Sequence, residues 1–294
     1  MKIVLGPASQ QLGEKIAELL NAETVPVAFK TFPDGESYIR LEGKVQNQEV
    51  FIVQTTSPPQ DPKLIQLAFI ADAAKRNGAK KVTAIVPYLA YARQDKAFLQ
   101  GEAISIETIA RMLKAAGVDS LITVNVHQEK VLNKFPFPAK SVSAIPLLAE
   151  YFKSKGYVGA FALAPDKGAM HIAQEAKRGL GGECGYLEKQ RDRYTGQISV
   201  EKKTFDVKGK TAIIFDDIIS TGGTIVAAAK VLKELGAERV YAACVHPLLI
   251  GDAEKRILEA GVEEIVGTDT VPSHVSKVSI APLISKEIWE HKSG

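Results

Sequence analysis

Seven short, nearly continuous apolar runs decide most of what this chain can fold into. They lie at Val50–Val53, Val82–Val86, Leu121–Val126, Phe161–Ala164, Ala212–Phe215, Val240–Val245 and Ile265–Val266. Runs of this kind, rich in β-branched and aliphatic residues, suit strands buried on both faces of a parallel sheet. Segments of helical period lie between them. One follows Ser9 and sets Leu12, Ile16, Leu19 and Leu20 on one face. A second has Asp61 as N-cap and Pro62 at the first helical position. It turns Leu64, Leu67, Ala68 and Ala71 inward and stops at Gly78, after Lys75 and Arg76. A third carries Ile106, Ile109 and Leu113 to Gly117, and a fourth carries Ile225, Ala228, Leu232 and Leu235 to Gly236. The alternation predicts an α/β fold with mostly parallel sheet flanked by helices.

The pattern is doubled. Asn77-Gly78-Ala79-Lys80-Lys81-Val82, leading into a strand, recurs as Leu235-Gly236-Ala237-Glu238-Arg239-Val240, and Ala116-Gly117-Val118 recurs as Ala260-Gly261-Val262. Two α/β halves of like topology are expected, with a boundary near Ser141–Ile145 that gives domains 1–143 and 144–294. A length of 294 residues suits two domains. A hydrophobic fraction of 46% and a charged fraction of 24% exclude a disordered chain. The net charge of +3 gives no bulk attraction for nucleic acid, so anion binding has to come from local arrangement. Two cysteines, Cys184 and Cys244, supply neither a disulfide framework nor a cysteine metal site. No uncharged apolar stretch approaches the roughly 20 residues of a membrane span, and the apolar run ending at Gly6-Pro7 is too short for a signal-peptide core. A cytoplasmic setting without membrane or nucleic-acid partners is expected.

Chemistry concentrates in Thr211–Thr224. A buried strand ends in Asp216-Asp217, and Ser220-Thr221-Gly222-Gly223-Thr224 then feeds a helix. Glycines let backbone wrap an anion, and free N–H groups and the helix dipole favour phosphate. The hydroxyls of Ser220, Thr221 and Thr224 add donors. The two carboxylates suit vicinal sugar hydroxyls or a metal ion accompanying a second phosphate. Other chemistry-bearing segments are Phe32-Pro33-Asp34-Gly35-Glu36, a turn by composition; Pro87-Tyr88-Leu89-Ala90-Tyr91-Ala92-Arg93-Gln94-Asp95-Lys96, whose Arg93 offers a planar fork to phosphate; His127 and Asp166, each just past a strand; and the charged run Leu187–Arg193 with Lys189 and Arg191. Gly179–Gly185 is glycine-rich but lacks dinucleotide spacing and reads as a turn, and no Walker-type phosphate loop is present. His246 ends a strand and is expected to face a cleft.

The Thr211–Thr224 segment resembles the phosphoribosyl-diphosphate (PRPP) binding motif of type I phosphoribosyltransferase folds. Together with Phe32–Glu36 and Pro87–Lys96, in that order along the chain, it resembles the ribose-phosphate diphosphokinases. The resemblance implies two phosphoribosyltransferase-like α/β domains, 1–143 on the ATP side and 144–294 binding ribose 5-phosphate. It also implies transfer of the β,γ-diphosphoryl group of ATP to the anomeric hydroxyl of ribose 5-phosphate. Residue by residue, it assigns Phe32, Asp34, Glu36, Arg93, Gln94 and His127 to ATP, the first three reaching a neighbouring subunit in at least a homodimer. Asp216, Asp217, Ser220, Thr221, Gly222, Gly223 and Thr224 fall to ribose 5-phosphate, His127 and Asp166 to Mg²⁺, and Lys189 and Arg191 to a catalytic loop. Three departures stand out: Ser220 where many members have Asp, Asn125 in place of an Asp, and Ala97-Phe98 without an acidic residue. The last two resemble the shorter archaeal-type branch. The alternatives are a PRPP-consuming phosphoribosyltransferase, which needs neither Phe32–Glu36 nor Lys189 and Arg191, and a non-catalytic regulatory relative, which is expected to lose the catalytic cations or metal ligands.

Overall fold

The computed structural model describes residues 1–191, 198–201 and 205–293. By their contacts the residues divide into two units, Met1–Ser143 with Ser279–Gly294, and Ala144–Val278. The expected boundary near residue 143 coincides with this division, but residues 279–294 join the first unit rather than the second. The first unit runs β1 (Lys2–Leu5), α1 (Gln10–Leu20), β2 (Glu23–Thr31), β3 (Ser37–Leu41), β4 (Glu49–Val53), α2 (Gln60–Arg76), β5 (Lys81–Val86), α3 (Ser105–Ala115), β6 (Ser120–Val124), a 3-10 turn (Glu129–Lys134) and β7 (Ala139–Val142). Its sheet has the order β3-β2-β1-β4-β5-β6-β7, parallel except for β3.

The second unit runs α4 (Ile145–Ser154), β8 (Phe161–Ala164), α5 (Met170–Leu180), β9 (Cys184–Tyr186), β10 (Glu188–Arg191), β11 (Ile198–Glu201), β12 (Thr211–Ile219), α6 (Gly223–Glu234), β13 (Arg239–Pro247), α7 (Ala253–Glu259), β14 (Ile265–Thr268) and β15 (Ser276–Val278). Its sheet has the order β15-β14-β13-β12-β8-β9, all parallel, while β10 and β11 pair as a separate antiparallel ribbon. The last helix, α8 (Ala281–Ser293), packs on α1. Buried Ile284 and Ile288 within it, Ile280 just before it, all spaced by four, and a 2.7 Å ion pair from Lys140 to Glu287 hold it in the first unit.

Leaving out the antiparallel additions, the two sheets share one topology. In each, the second strand lies outside the first, and the third returns to the first strand's other side. The repeated sequence motifs make the same turns. Gly78 and Gly236 have φ of 82° and 83°, and Gly117 and Gly261 have φ of 95° and 94°. Ala79 and Ala237 donate to the carbonyls of Ala74 and Leu232, 3.0 Å in both cases. The expected α/β architecture of two like halves with mostly parallel sheets is what the chain adopts.

Several local expectations change. α2 begins at Gln60, so Pro59 rather than Asp61 caps it. Leu19 is 56% exposed, because α1 buries Leu12, Gly13, Ile16 and Ala17 instead. β6 stops at Val124, where Asn125 turns into the left-handed region at φ 36°. Within Gly179–Gly185, Cys184 and Gly185 enter an edge strand beside β8. His246 is buried, with Nδ1 2.9 Å from the Thr270 hydroxyl, and does not line a cleft.

Candidate active site

In the second unit the chain leaves β8 for β9 and returns to the opposite side of β8 at β12. Such a reversal opens a crevice at the C-terminal ends of the two adjacent strands, the usual ligand position in open parallel sheets. Asp166 follows β8 by two residues, and Ser220 follows β12 directly. The sequence places Asp216 and Asp217 at the strand's very end, with the loop beginning after them. The structure keeps them inside β12, because Ile218 and Ile219 continue the ladder against His246 and Pro247 of β13.

Asp216 therefore sits within the sheet, in register with the buried Cys244. Burial, more than any neighbour, pushes its carboxyl well above the usual carboxylate range, and the charges of Asp217 and Asp166 push it further. Its Oδ1 accepts the Asp217 N–H at 2.9 Å, and Asp217 Oδ1 accepts the Ile218 N–H at 2.8 Å. The charges of Asp217 and Asp166 act on the Asp216 carboxyl, an arrangement that favours a cation or hydroxyl donors. Cys244 is held protonated by the same burial and the neighbouring Asp216.

The loop that follows is shaped for an anion. Gly222 is left-handed at φ 77°, and a Cβ there would lie 2.9 Å from Ile257 Cδ1 and 3.4 Å from Ala253 Cβ of α7. A Cβ on Gly223 would meet nothing within 4 Å. The N–H groups of Thr221, Gly222, Gly223 and Thr224 have no acceptor among the described residues, and they gather at the N-terminus of α6. Beside this corner rises the β10–β11 ribbon. Its root is tied to β8 by the Leu187 N–H to the Ala164 carbonyl at 3.3 Å, and Leu187 itself is buried. Lys189 and Arg191 occupy alternate positions of β10, opposite Val200 and Ile198. The rest of the charged run, Asp192 and Arg193, lies outside the described residues.

The first unit places Pro87–Lys96 and His127 at the C-terminal edge of its own sheet. Pro87–Lys96 follows β5. Thr56 anchors the start of this segment, its hydroxyl donating to the Tyr88 carbonyl at 2.6 Å and accepting the Ala90 N–H at 2.8 Å. Tyr91, left-handed at φ 63°, donates to Asp61. Arg93 is left exposed, and the Gln94 amide reaches the Ala103 carbonyl at 3.4 Å. His127, past β6, is exposed. Phe32–Glu36 is the turn between β2 and β3, closed by the Phe32 N–H to the Glu36 carbonyl at 2.8 Å and by Asp34 Oδ1 accepting the Glu36 N–H at 3.1 Å. Asp34 and Glu36 are exposed, and Phe32 lines a hollow of about 420 Å³ with Tyr38, Phe69 and Arg76. β2 pairs with β1 only as far as Pro26. From there the β2–β3 hairpin lies against α2, and Phe32 sits among Phe69, Asp72 and Arg76 in that helix's last turns, the end that leads into the start of β5 rather than the loop after it. Within one chain the turn does not join Arg93 and Gln94.

The sequence reading missed the first unit's own reversal point. There, between β1 and β4, Gln54 is fully buried, and its Oε1 accepts the Ala8 N–H at 3.0 Å while Ser9 Oγ accepts the Thr55 N–H at 2.8 Å. A polar side chain closes the crevice that the glycine loop leaves open in the other half. Gln54 gave a signal, being the first polar residue after an apolar run, at the place where Ser220 stands in the second half.

A profile for the N-terminal domain of ribose phosphate pyrophosphokinase matches residues 1–117, and one for the phosphoribosyl synthetase-associated domain matches residues 198–288. The chain is 44% identical to a ribose-phosphate pyrophosphokinase of Methanothermobacter thermautotrophicus, over 95% of this chain and 96% of that one. It is also 44% identical to the ribose-phosphate pyrophosphokinase of Saccharolobus solfataricus, over 92% and 93%. The crystal structure of phosphoribosylpyrophosphate synthetase from Mycobacterium smegmatis superimposes with a TM-score of 0.87 at 32% identity, covering 100% of this chain and 99% of that one. Relatives this similar over nearly their whole length, with both halves matched, establish that the chain belongs to the ribose-phosphate pyrophosphokinase family.

Proposed function

We propose that the chain joins ATP and ribose 5-phosphate into PRPP and AMP, with the second unit's crevice as the sugar-phosphate site. The observation that carries this reading is the meeting of Asp166, Asp216 and Asp217 with the open N–H groups of Thr221–Thr224 at the β8/β12 reversal. Ser220, Thr221, Gly222, Gly223 and Thr224 hold the 5-phosphate through N–H and hydroxyl donors. Asp216 and Asp217 accept from the ribose hydroxyls, which orients the anomeric hydroxyl for in-line attack on the β-phosphorus. Arg93, Gln94 and His127 bind the nucleotide. Lys189 and Arg191, rooted beside Asp166, offset charge on the transferring group. Such transfers draw mainly on positioning and electrostatics.

The donor set fits Mg²⁺. Asp166 and the Asp216/Asp217 pair offer hard oxygen, and Asp216 is short of countercharge. Among the described residues no three His, Cys, Asp or Glu side chains form a ready-made metal cluster. That suits an ion held by one or two protein groups plus substrate phosphates. Asp166 is the proposed protein ligand of this ion, and His127, in the first unit, that of a separate Mg²⁺ that comes with ATP. When bound, Mg²⁺ neutralises phosphate charge. The exposed β2–β3 turn, set by the last turns of α2 and away from Pro87–Lys96, supports an ATP site completed by a second subunit, with Phe32, Asp34 and Glu36 donated across the interface. No described helix is long and apolar enough to cross a membrane.

The test is product analysis with ATP, ribose 5-phosphate and Mg²⁺, followed by phosphorus NMR. AMP and PRPP are expected in equal amounts, and neither without the sugar phosphate. ADP as the nucleotide product, or AMP formed without ribose 5-phosphate, overturns the reading.

A further inference from the structure

Three consecutive carbonyl groups of the loop after β12 are pinned toward one side. The Ile219 carbonyl accepts the N–H groups of Leu248 and Leu249, both at 3.0 Å, and the Ser220 carbonyl accepts the Ile250 N–H at 3.0 Å. The Thr221 carbonyl accepts Nη2 of Arg256. All four donors come from the β13–α7 connection and α7 itself. In a planar trans peptide the N–H points away from the preceding C=O. Pinning these carbonyls toward α7 therefore aims the N–H groups of Ser220, Thr221 and Gly222 toward the crevice.

The three tethers differ in kind. The first two are backbone to backbone, whereas the third depends on one side chain. It also acts on the peptide most able to turn over, because a glycine at position 222 tolerates both positive and negative φ. Arg256 is itself steadied: its Nε lies 3.1 Å from Asp252 Oδ1, one helical turn earlier. The Arg256 and Asp252 side chains are 44% and 68% exposed, a setting in which an ion pair adds little to stability.

We propose that Arg256 is a positioning residue for the sugar phosphate: steadied by Asp252, it locks the Thr221–Gly222 peptide so that the Gly222 N–H faces the 5-phosphate. The proposal rests on reading Ser220–Thr224 as the phosphate cradle. Arg256 touches no substrate and acts through the peptide it holds.

The test compares Arg256→Met, Arg256→Lys and Asp252→Asn in steady-state kinetics with each substrate varied, alongside thermal melting of the ligand-free protein. Arg256→Met is expected to raise KM for ribose 5-phosphate about tenfold, the scale of one charge-assisted hydrogen bond. KM for ATP and the melting temperature should stay near wild type. Arg256→Lys should recover part of the loss, since one ammonium cannot hold both Asp252 and Thr221 as a fork does. Asp252→Asn should give a smaller shift of the same kind, and it serves as the readout if Arg256→Met folds poorly. An unchanged KM for ribose 5-phosphate overturns the proposal, as does a parallel rise in both KM values with a lowered melting temperature. Thr224→Val separates the two levels of the argument. If it raises KM for ribose 5-phosphate while the Arg256 and Asp252 variants do not, the cradle stands and the lock falls. If none of them raises it, the cradle falls as well.

Discussion

Gly222 and Gly223 are neighbours with opposite tolerances, and the contrast shows how the loop proposed to hold phosphate is made. Gly222 sits at φ 77° with Ile257 and Ala253 against it, whereas Gly223 faces open space. Gly222→Ala combines a left-handed backbone with a 2.9 Å contact to Ile257 Cδ1, and should destabilise the protein by about 1–3 kcal/mol. Gly223→Ala should unfold at nearly the wild-type urea midpoint. Equal midpoints for the two variants would disprove this account of the loop. Asp216 poses the reverse case, a residue kept against stability. Its buried carboxyl is crowded by Asp217 and Asp166. Asp216→Asn should raise the melting temperature of the ligand-free protein and lower turnover by about two orders of magnitude or more. A variant both less stable and fully active would contradict that view. At this scale the sequence is informative about residue type: the carboxylates, hydroxyls and glycines are legible as the chemistry proposed for a phosphate and sugar site. The side-chain lock from Arg256 was not, because its partner is a carbonyl 35 residues away, and carbonyls carry no sequence signal.

At the scale of elements, legibility followed burial. Phe161–Ala164 and the strands at 50–53, 82–86 and 240–245 were readable because both faces are buried and the runs are apolar throughout. β2 and β3 were not. They lie at the sheet margin, mix buried and exposed positions, and β2 contains Pro26, which argues against a strand interior. α8 has a clear four-residue stripe, but its partner α1 is some 260 residues distant in sequence, so only the fold could assign it to the first unit. β12 was read as too short because two aspartates look like a strand end, yet the ladder with β13 carries them inside. The β10–β11 ribbon was read as a charged loop, although its β10 limb is a strand bearing Lys189 and Arg191. Lys189→Ala should cut kcat by orders of magnitude while leaving KM for ribose 5-phosphate within about threefold, since its proposed task arises as charge moves to the leaving group. A rise in that KM with kcat intact would place Lys189 in binding instead.

The whole molecule is one topology written twice and used differently. The repeated glycine turns reproduce φ within a degree or so at both pairs of glycines, yet the crossover after the third parallel strand has diverged. In the second half it is an open glycine loop. In the first half it is Gln54–Pro59, where the Thr55 N–H goes to Ser9 Oγ, the Thr56 N–H goes to the Tyr88 carbonyl, and Pro58 and Pro59 have no N–H to offer an anion. On the proposed reading each chain has one ribose 5-phosphate site. Equilibrium dialysis of radiolabelled ribose 5-phosphate should saturate near one equivalent per chain, and Gln54→Glu should leave that number unchanged; two equivalents would show that the first crevice opens. The sequence by itself determined the α/β class, the doubling, the family and nearly all the residue types of the candidate site, because those depend on local periodicity, turn chemistry and side-chain chemistry. Only the tertiary structure decided that the aspartates lie within a strand, that Gln54 shuts the first crevice, that α8 closes the first unit, and that α7 sets the loop's carbonyls. Each of those is a pairing between residues far apart along the chain, settled by which surfaces and hydrogen-bonding groups can be satisfied together once the sheets form.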